Sequence, residues 1–235
     1  MNNTYVNYLV EIIKDVLSAA TIATVSWLFI QGNLHRLTIA TSLKKHGVKS
    51  IQFTVPSIWD REHFFAKADR IRIMYTSGKG FFVDNKRNQK MIERAIQRGA
   101  TIQVLLATEN SDFVKDIETS EIIAGTRIGD KRISEEIQRS ENYLKSQGVE
   151  VRHYRSEYRM AMMIADYYIR GTDEYCKCKS EGWLYISLPP YWTKESIILK
   201  SEIKYTEARE NGINETDNIV EMMNRHFQTI WDKYK

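Results

Sequence analysis

Three groups of residues in this chain have the types and spacing to hold an anion. The stretch Y-R-M-A-M-M-I-A-D carries Arg159 and Asp166 at the two ends of an apolar run. Thr76, Ser77 and Lys79 stand where the run R-I-R-I-M-Y gives way to a loop, Gly78-Lys79-Gly80, and Thr108 and Asn110 follow the run T-I-Q-V-L-L-A. In open α/β sheets ligands sit beyond the carboxyl ends of the strands, which would gather these residues at one edge. Hydroxyls, an amide, exposed backbone N–H groups and two cations satisfy the oxygens of a phosphate or nucleotide without doing chemistry on it. Arg159 cannot act as a nucleophile, because a guanidinium stays protonated and offers only donors. The glycine loop lacks the spacing of a P-loop. No metal constellation appears, and no cofactor is expected. The plainer alternative is a pocket without a ligand, in which Arg159 pairs with Asp166 or a nearby Glu.

The elements that must position these residues follow from hydrophobic period and caps. Arg70 to Ser77 reads as a strand, and Asp84 opens a helix with Met91, Ile92, Ala95 and Ile96 inward and Gly99 as its stop. Thr101 to Ala107 is the next strand, so strand, helix and strand make a parallel β-α-β unit. A helical region follows, clear from Asp130 to Gln147, then strands at Val149–Tyr154, Arg159–Asp166, Tyr167–Arg170, Trp183–Leu188 and Ile197–Lys200. The last element is a helix from Thr216 to about Tyr234, with Ile219, Met223, Phe227, Ile230 and Trp231 on one face. The fold class expected is α/β.

This order, with R-G-A-T-I-Q-V-L-L opening the second strand and H-F-Q-T-I-W closing the chain, resembles the phospholipase D-like domains over residues 58–235. The resemblance implies a mixed sheet flanked by helices. It also implies a signature strand His-x-Lys, four residues, then Asp, in which the His takes up the phosphoryl group. Here Arg159 stands at the position of that His and Ala161 at that of the Lys, while Asp166 is kept. A register shifted to His153 would put the Asp position on Met160, so it fails, and His153 reads as an ordinary strand histidine. What the resemblance implies is thus a pseudoenzyme that binds or senses.

At 235 residues, with 27% charged residues, three prolines and a net charge of +4, the chain has room for one such domain and an appended element. A charge excess this small reads as a solvated surface rather than a nucleic-acid footprint. The only cysteines, Cys176 and Cys178, form a C-x-C without a second half, which reads as reduced thiols in a reducing compartment. Val16 to Ile30 carries no charge and can continue an unbroken helix from Val6. A span needs about 20 residues, so the preceding turns must contribute. Asn7, Glu11, Lys14, Ser18 and Thr21 form a polar stripe on that helix. A lone striped helix in lipid is costly, so insertion implies a homo-oligomer with the stripe inward. A packed amphipathic or interaction helix is the alternative. His35, Arg36, Lys44, Lys45 and Lys49 follow, which by the positive-inside tendency puts the C-terminal domain in the cytoplasm. Residues 32–57 are expected as a linker with a short helix from Asn33 to Gly47 and an extended connector after it.

The expected function is a single-pass cell-membrane protein. Its degenerate domain senses a nucleotide ligand or a protein partner, and its N-terminal helix (residues 1–31) contacts lipid and disrupts the membrane on oligomerising. This build is similar to membrane-anchored bacterial antiviral effectors, including those with CARF domains or Argonaute partners. The alternatives are a nuclease or phospholipase of unrecognised arrangement, and a soluble module that binds nucleotides or nucleic acid directly.

Overall fold

The structure is a computed structural model that describes residues 41–52, 58–123, 132–155, 160–168, 177–187, 196–205, 207 and 217–234. Compact packing divides the chain into Met1–Lys44 and Lys45–Lys235. The candidate membrane helix and its polar stripe, Asn7, Glu11, Lys14, Ser18 and Thr21, lie outside the described residues, as do Arg159 and Cys176. Among the described residues, no helix is long and apolar enough to cross a membrane.

The second unit is α/β, built on a seven-stranded mixed sheet. Its strands are β1 (Val48–Gln52), β2 (Arg70–Tyr75), β3 (Thr101–Ala107), β4 (Glu150–Tyr154), β5 (Met160–Tyr168), β6 (Lys177–Ser187) and β7 (Ser196–Ile203). They run in the order β1-β7-β6-β5-β2-β3-β4. The β2-β3-β4 portion is parallel, and the remaining pairs are antiparallel. The helices are α1 (Ile58–Lys67), α2 (Lys79–Phe82), α3 (Lys86–Gln97), α4 (Asp112–Ile123), α5 (Arg132–Ser146) and α6 (Ile219–Lys233).

β2 and β3 are internal strands, and most residues along them are buried, as expected of parallel strands covered on both faces. On one face Phe64 of α1 packs its ring 4.8 Å from that of Trp183 on β6, and Phe81 of α2 lies 5.6 Å from Tyr75. The other face carries α6, whose buried Val220, Met223, Asn224, Phe227, Ile230 and Trp231 recur at helical spacing. Gly182 on β6 lets α6 approach: a Cβ there would lie 3.0 Å from Met223 Sδ and 3.3 Å from Val220 Cγ2.

Several elements differ from expectation for local reasons. Asn85, not Asp84, caps α3: its side chain accepts from the N–H groups of Arg87 and Asn88, both at 3.1 Å. Asn218 caps α6 in the same way, accepting from Val220 N–H at 2.8 Å, so the helix begins after Thr216. The two strands expected at 159–166 and 167–170 are one strand, β5, with a register irregularity at Tyr167/Tyr168. Val48–Gln52, expected as a connector, is the outer strand β1, antiparallel to β7.

Candidate ligand site

The carboxyl ends of β2 and β3 bring together five of the seven residues singled out in the sequence. Thr76 follows β2, and its carbonyl accepts from Ala107 N–H at 3.1 Å. Ser77 Oγ donates to Glu136 Oε2 of α5 at 3.1 Å. Lys79 Nζ lies 3.7 Å from Glu136 Oε1 and 3.6 Å from Asp84 Oδ2. The Glu136 carboxylate thus takes the hydroxyl and the ammonium that were expected to meet a phosphate. Thr108 is committed to the fold as well: its N–H and its Oγ1 both donate to the carbonyl of Tyr154, at 2.8 and 3.1 Å. Asn110 is exposed, and its amide makes no hydrogen bond among the described residues.

Asp166 is elsewhere. Because β5 runs antiparallel to β2, Asp166 pairs with Arg70, the first residue of β2. The six-residue strand β2 separates it from Thr76, roughly 20 Å at about 3.3 Å per residue. It therefore cannot share a ligand with the loops at the carboxyl edge. Asp166 is fully buried. Its Oδ2 accepts from Arg70 Nε at 2.7 Å and Arg72 Nη2 at 2.6 Å, and its Oδ1 accepts from Ser180 Oγ at 2.5 Å. Burial pushes its carboxyl up, but the Arg72 and Arg70 guanidiniums and the Ser180 hydroxyl outweigh it and hold the group below the ordinary carboxylate range. This is a three-donor ion cluster that fastens β2, β5 and β6 to one another.

Ala161 occupies the position where the resemblance puts a Lys. It pairs with Tyr185 on β6, and one step beyond the Met74–Met162 pair Tyr75 stands beside it on β2. The two tyrosine rings, on the strands to either side of β5, have centroids 6.2 Å apart. Both hydroxyls point at Met163 Sδ, at 3.4 and 3.8 Å, and burial pushes both phenols up, so they stay neutral. Arg61 of α1 faces this cluster with its Nε buried and without a hydrogen-bond partner among the described residues. Two tyrosine side chains flank the half-buried Ala161. Ala161→Lys is expected to cost about 1–3 kcal/mol through overpacking and to confer no phosphodiester hydrolysis. An unchanged urea midpoint, or a gain of hydrolysis, would contradict this packing.

Beyond Thr108 and Asn110 the same edge opens into a groove of about 680 Å³, lined by Thr108, Glu109, Asn110, Val151, Arg152, His153, Arg155 and Tyr234. It lies against β4, the last strand of the sheet, and the C-terminal end of α6. Arg152 is held in place there, with its guanidinium 4.1 Å from the centre of the Trp231 ring and hydrogen bonds to Glu150 Oε1 and the Trp231 carbonyl, both at 2.6 Å. His153 Nε2 is 3.4 Å from Glu141 Oε2.

No family model matches the chain, and no curated protein matches it in sequence.

Among the described residues no group of three or more His, Cys, Asp or Glu is placed to hold a metal ion. The hydroxyls of Ser77 and Thr108 each serve as donors to internal oxygens. Of the residues that sequence reasoning passed over, Arg70 and Arg72 had a visible signal, since R-I-R puts two guanidiniums on one face of a strand. Glu136 had none, because its meeting with Ser77 and Lys79 spans residues 77–136 and depends on how α5 packs.

Proposed function

We propose that this chain is a ligand-sensing, non-hydrolytic protein of phospholipase D-like type. Its N-terminal helix lies in the cell membrane and its C-terminal domain in the cytoplasm. On sensing, several copies associate through the polar stripe of the helix and breach the membrane, as an effector of bacterial antiviral defence. The observation that carries the sensing part is the course of α6. Its C-terminal end supplies Tyr234 to the groove. Its N-terminal end is tied to the turn by which the chain enters the second unit: Ile219 N–H donates to the His46 carbonyl at 3.1 Å, and His46 Nδ1 is 2.9 Å from the Asp217 carbonyl. A 15-residue helix is about 22 Å long. One rigid element therefore joins a candidate ligand groove to the segment that leads toward the N-terminal helix.

The loss of hydrolysis is supported by the aromatic packing around Ala161 and by the engagement of Asp166 with Arg70, Arg72 and Ser180. The mixed sheet, with three parallel strands and an antiparallel β5 inserted beside β2, suits the resemblance drawn from the sequence.

Two measurements on the purified chain test this reading. The full-length protein is expected to sediment with membranes and to need detergent for release, whereas a chain lacking residues 1–32 stays in the supernatant. Neither is expected to hydrolyse DNA, RNA or phospholipid. A full-length chain that purifies without detergent removes the anchor, and turnover of any of the three substrates removes the pseudoenzyme.

A further inference from the structure

We propose that the groove beside β4 binds a nucleotide, with its phosphate on Arg155 and its base against Tyr234. This deepens the reading above, for it names what the sensing edge would sense. The lining is rich in cationic and donor groups. Its one acid, Glu109, has its Oε2 engaged, accepting from Gln138 Nε2 of α5 at 2.8 Å. Arg152 is spent on Glu150 and Trp231. Arg155 is different: it is exposed at the end of β4 and makes no hydrogen bond or ion pair among the described residues. A guanidinium at a concave edge is suited to two phosphate oxygens at once.

The lining also holds an aromatic side chain. Tyr234 follows directly on α6, with Lys233 Nζ 5.2 Å from its ring centre. Aromatic rings stack on nucleobases whatever the base. Asn110, whose amide is uncommitted, supplies a donor and an acceptor for a base edge. The volume of about 680 Å³ lies inside the range of roughly 300–1,000 Å³ typical of small-molecule sites. A single nucleotide carries both features of the groove, a flat apolar base and a charged phosphate. Inorganic phosphate lacks the first and a nucleoside lacks the second.

The test is equilibrium binding by the full-length chain in detergent, with ADP, ATP, GDP and GTP as probes and inorganic phosphate and adenosine as part-ligands. At least one nucleotide is expected to bind saturably, and more tightly than phosphate or adenosine. Arg155→Gln and Tyr234→Ala should each weaken it about tenfold or more, with unchanged circular dichroism and thermal midpoint showing that the fold persists. The proposal is overturned if no nucleotide saturates the protein, if affinity survives both substitutions, or if single-stranded RNA binds far more tightly with a steep salt dependence. Binding by a chain that does not associate with membranes would keep this site and remove the effector reading. Membrane association without binding would do the reverse.

Discussion

Asp166→Ala is expected to destabilise the α/β domain by about 3–5 kcal/mol. Removing one partner of a buried ion pair leaves the other charge uncompensated, which is more damaging than the pair is stabilising. Arg72 would be that orphan: its side chain is 3% exposed, and it remains a cation because a guanidinium is not deprotonated in proteins. Against a total stability of about 5–15 kcal/mol such a loss brings the domain near unfolding. The sign of the pH dependence follows from the lowered pKa of Asp166. The unfolded chain holds a carboxyl of ordinary pKa, about 3.9. The carboxylate therefore contributes its full stabilisation above that value and loses it as pH falls through the lower, folded value. Urea denaturation from pH 7 to pH 2 should show an acid limb in the wild type that is flattened in Asp166→Ala. Asp166→Asn, which keeps an oxygen for Ser180 or one arginine, should fall between them. A variant with wild-type stability at pH 7 would show that Asp166 is not a structural anchor and would restore it as a candidate ligand residue.

Gly47→Val is expected to be nearly as damaging, by two independent routes. Gly47 has a φ of 81°, in the left-handed region, where an L side chain costs about 1–2 kcal/mol. Its missing Cβ would also meet Asn218 Nδ2 at 2.2 Å and the Glu202 carbonyl at 2.8 Å. Asn218 could shift only by giving up the cap of α6, and the carbonyl is backbone of β7 that cannot move cheaply. Overpacking of this kind adds about 1–3 kcal/mol. Thermal denaturation of the chain lacking residues 1–32, with and without Gly47→Val, measures this cost. An unchanged midpoint would mean that the 46–47 turn is not held by α6.

The legible part of the fold was the part set by local pattern. R-I-R-I-M-Y and T-I-Q-V-L-L-A are dense apolar runs bounded by polar loops, and both are strands as read, with β3 matching residue for residue. Val48–Gln52 was not legible, because V-K-S-I-Q has only two apolar residues and no strict alternation, and it lies at the sheet edge, where its partner β7 is far away in sequence, with Ile51 opposite Leu199. The candidate site was legible by half. That Thr76, Ser77, Lys79, Thr108 and Asn110 share an edge follows from two parallel strands with a helix between them. That Asp166 does not follows from the direction of β5, which no property of the Y-R-M-A-M-M-I-A-D stretch encodes. A polar residue at the end of an apolar strand looks alike whether it faces a ligand or, as with Asp166, two guanidiniums. Glu136 and Tyr234 were likewise invisible as site residues, since each reaches the edge from a helix whose placement is decided by packing on the sheet.

If the N-terminal helix is the output and the α/β domain its control, membrane potential in living cells reports both at once. The most direct measurement compares bacteria expressing the full-length chain, the chain lacking residues 1–32, and full-length Arg155→Gln. Depolarisation by the full-length chain, its absence without residues 1–32 and its reduction in Arg155→Gln are the results expected. Equal depolarisation by the chain lacking residues 1–32 would contradict this division of roles, because the effect would then belong to the α/β domain alone.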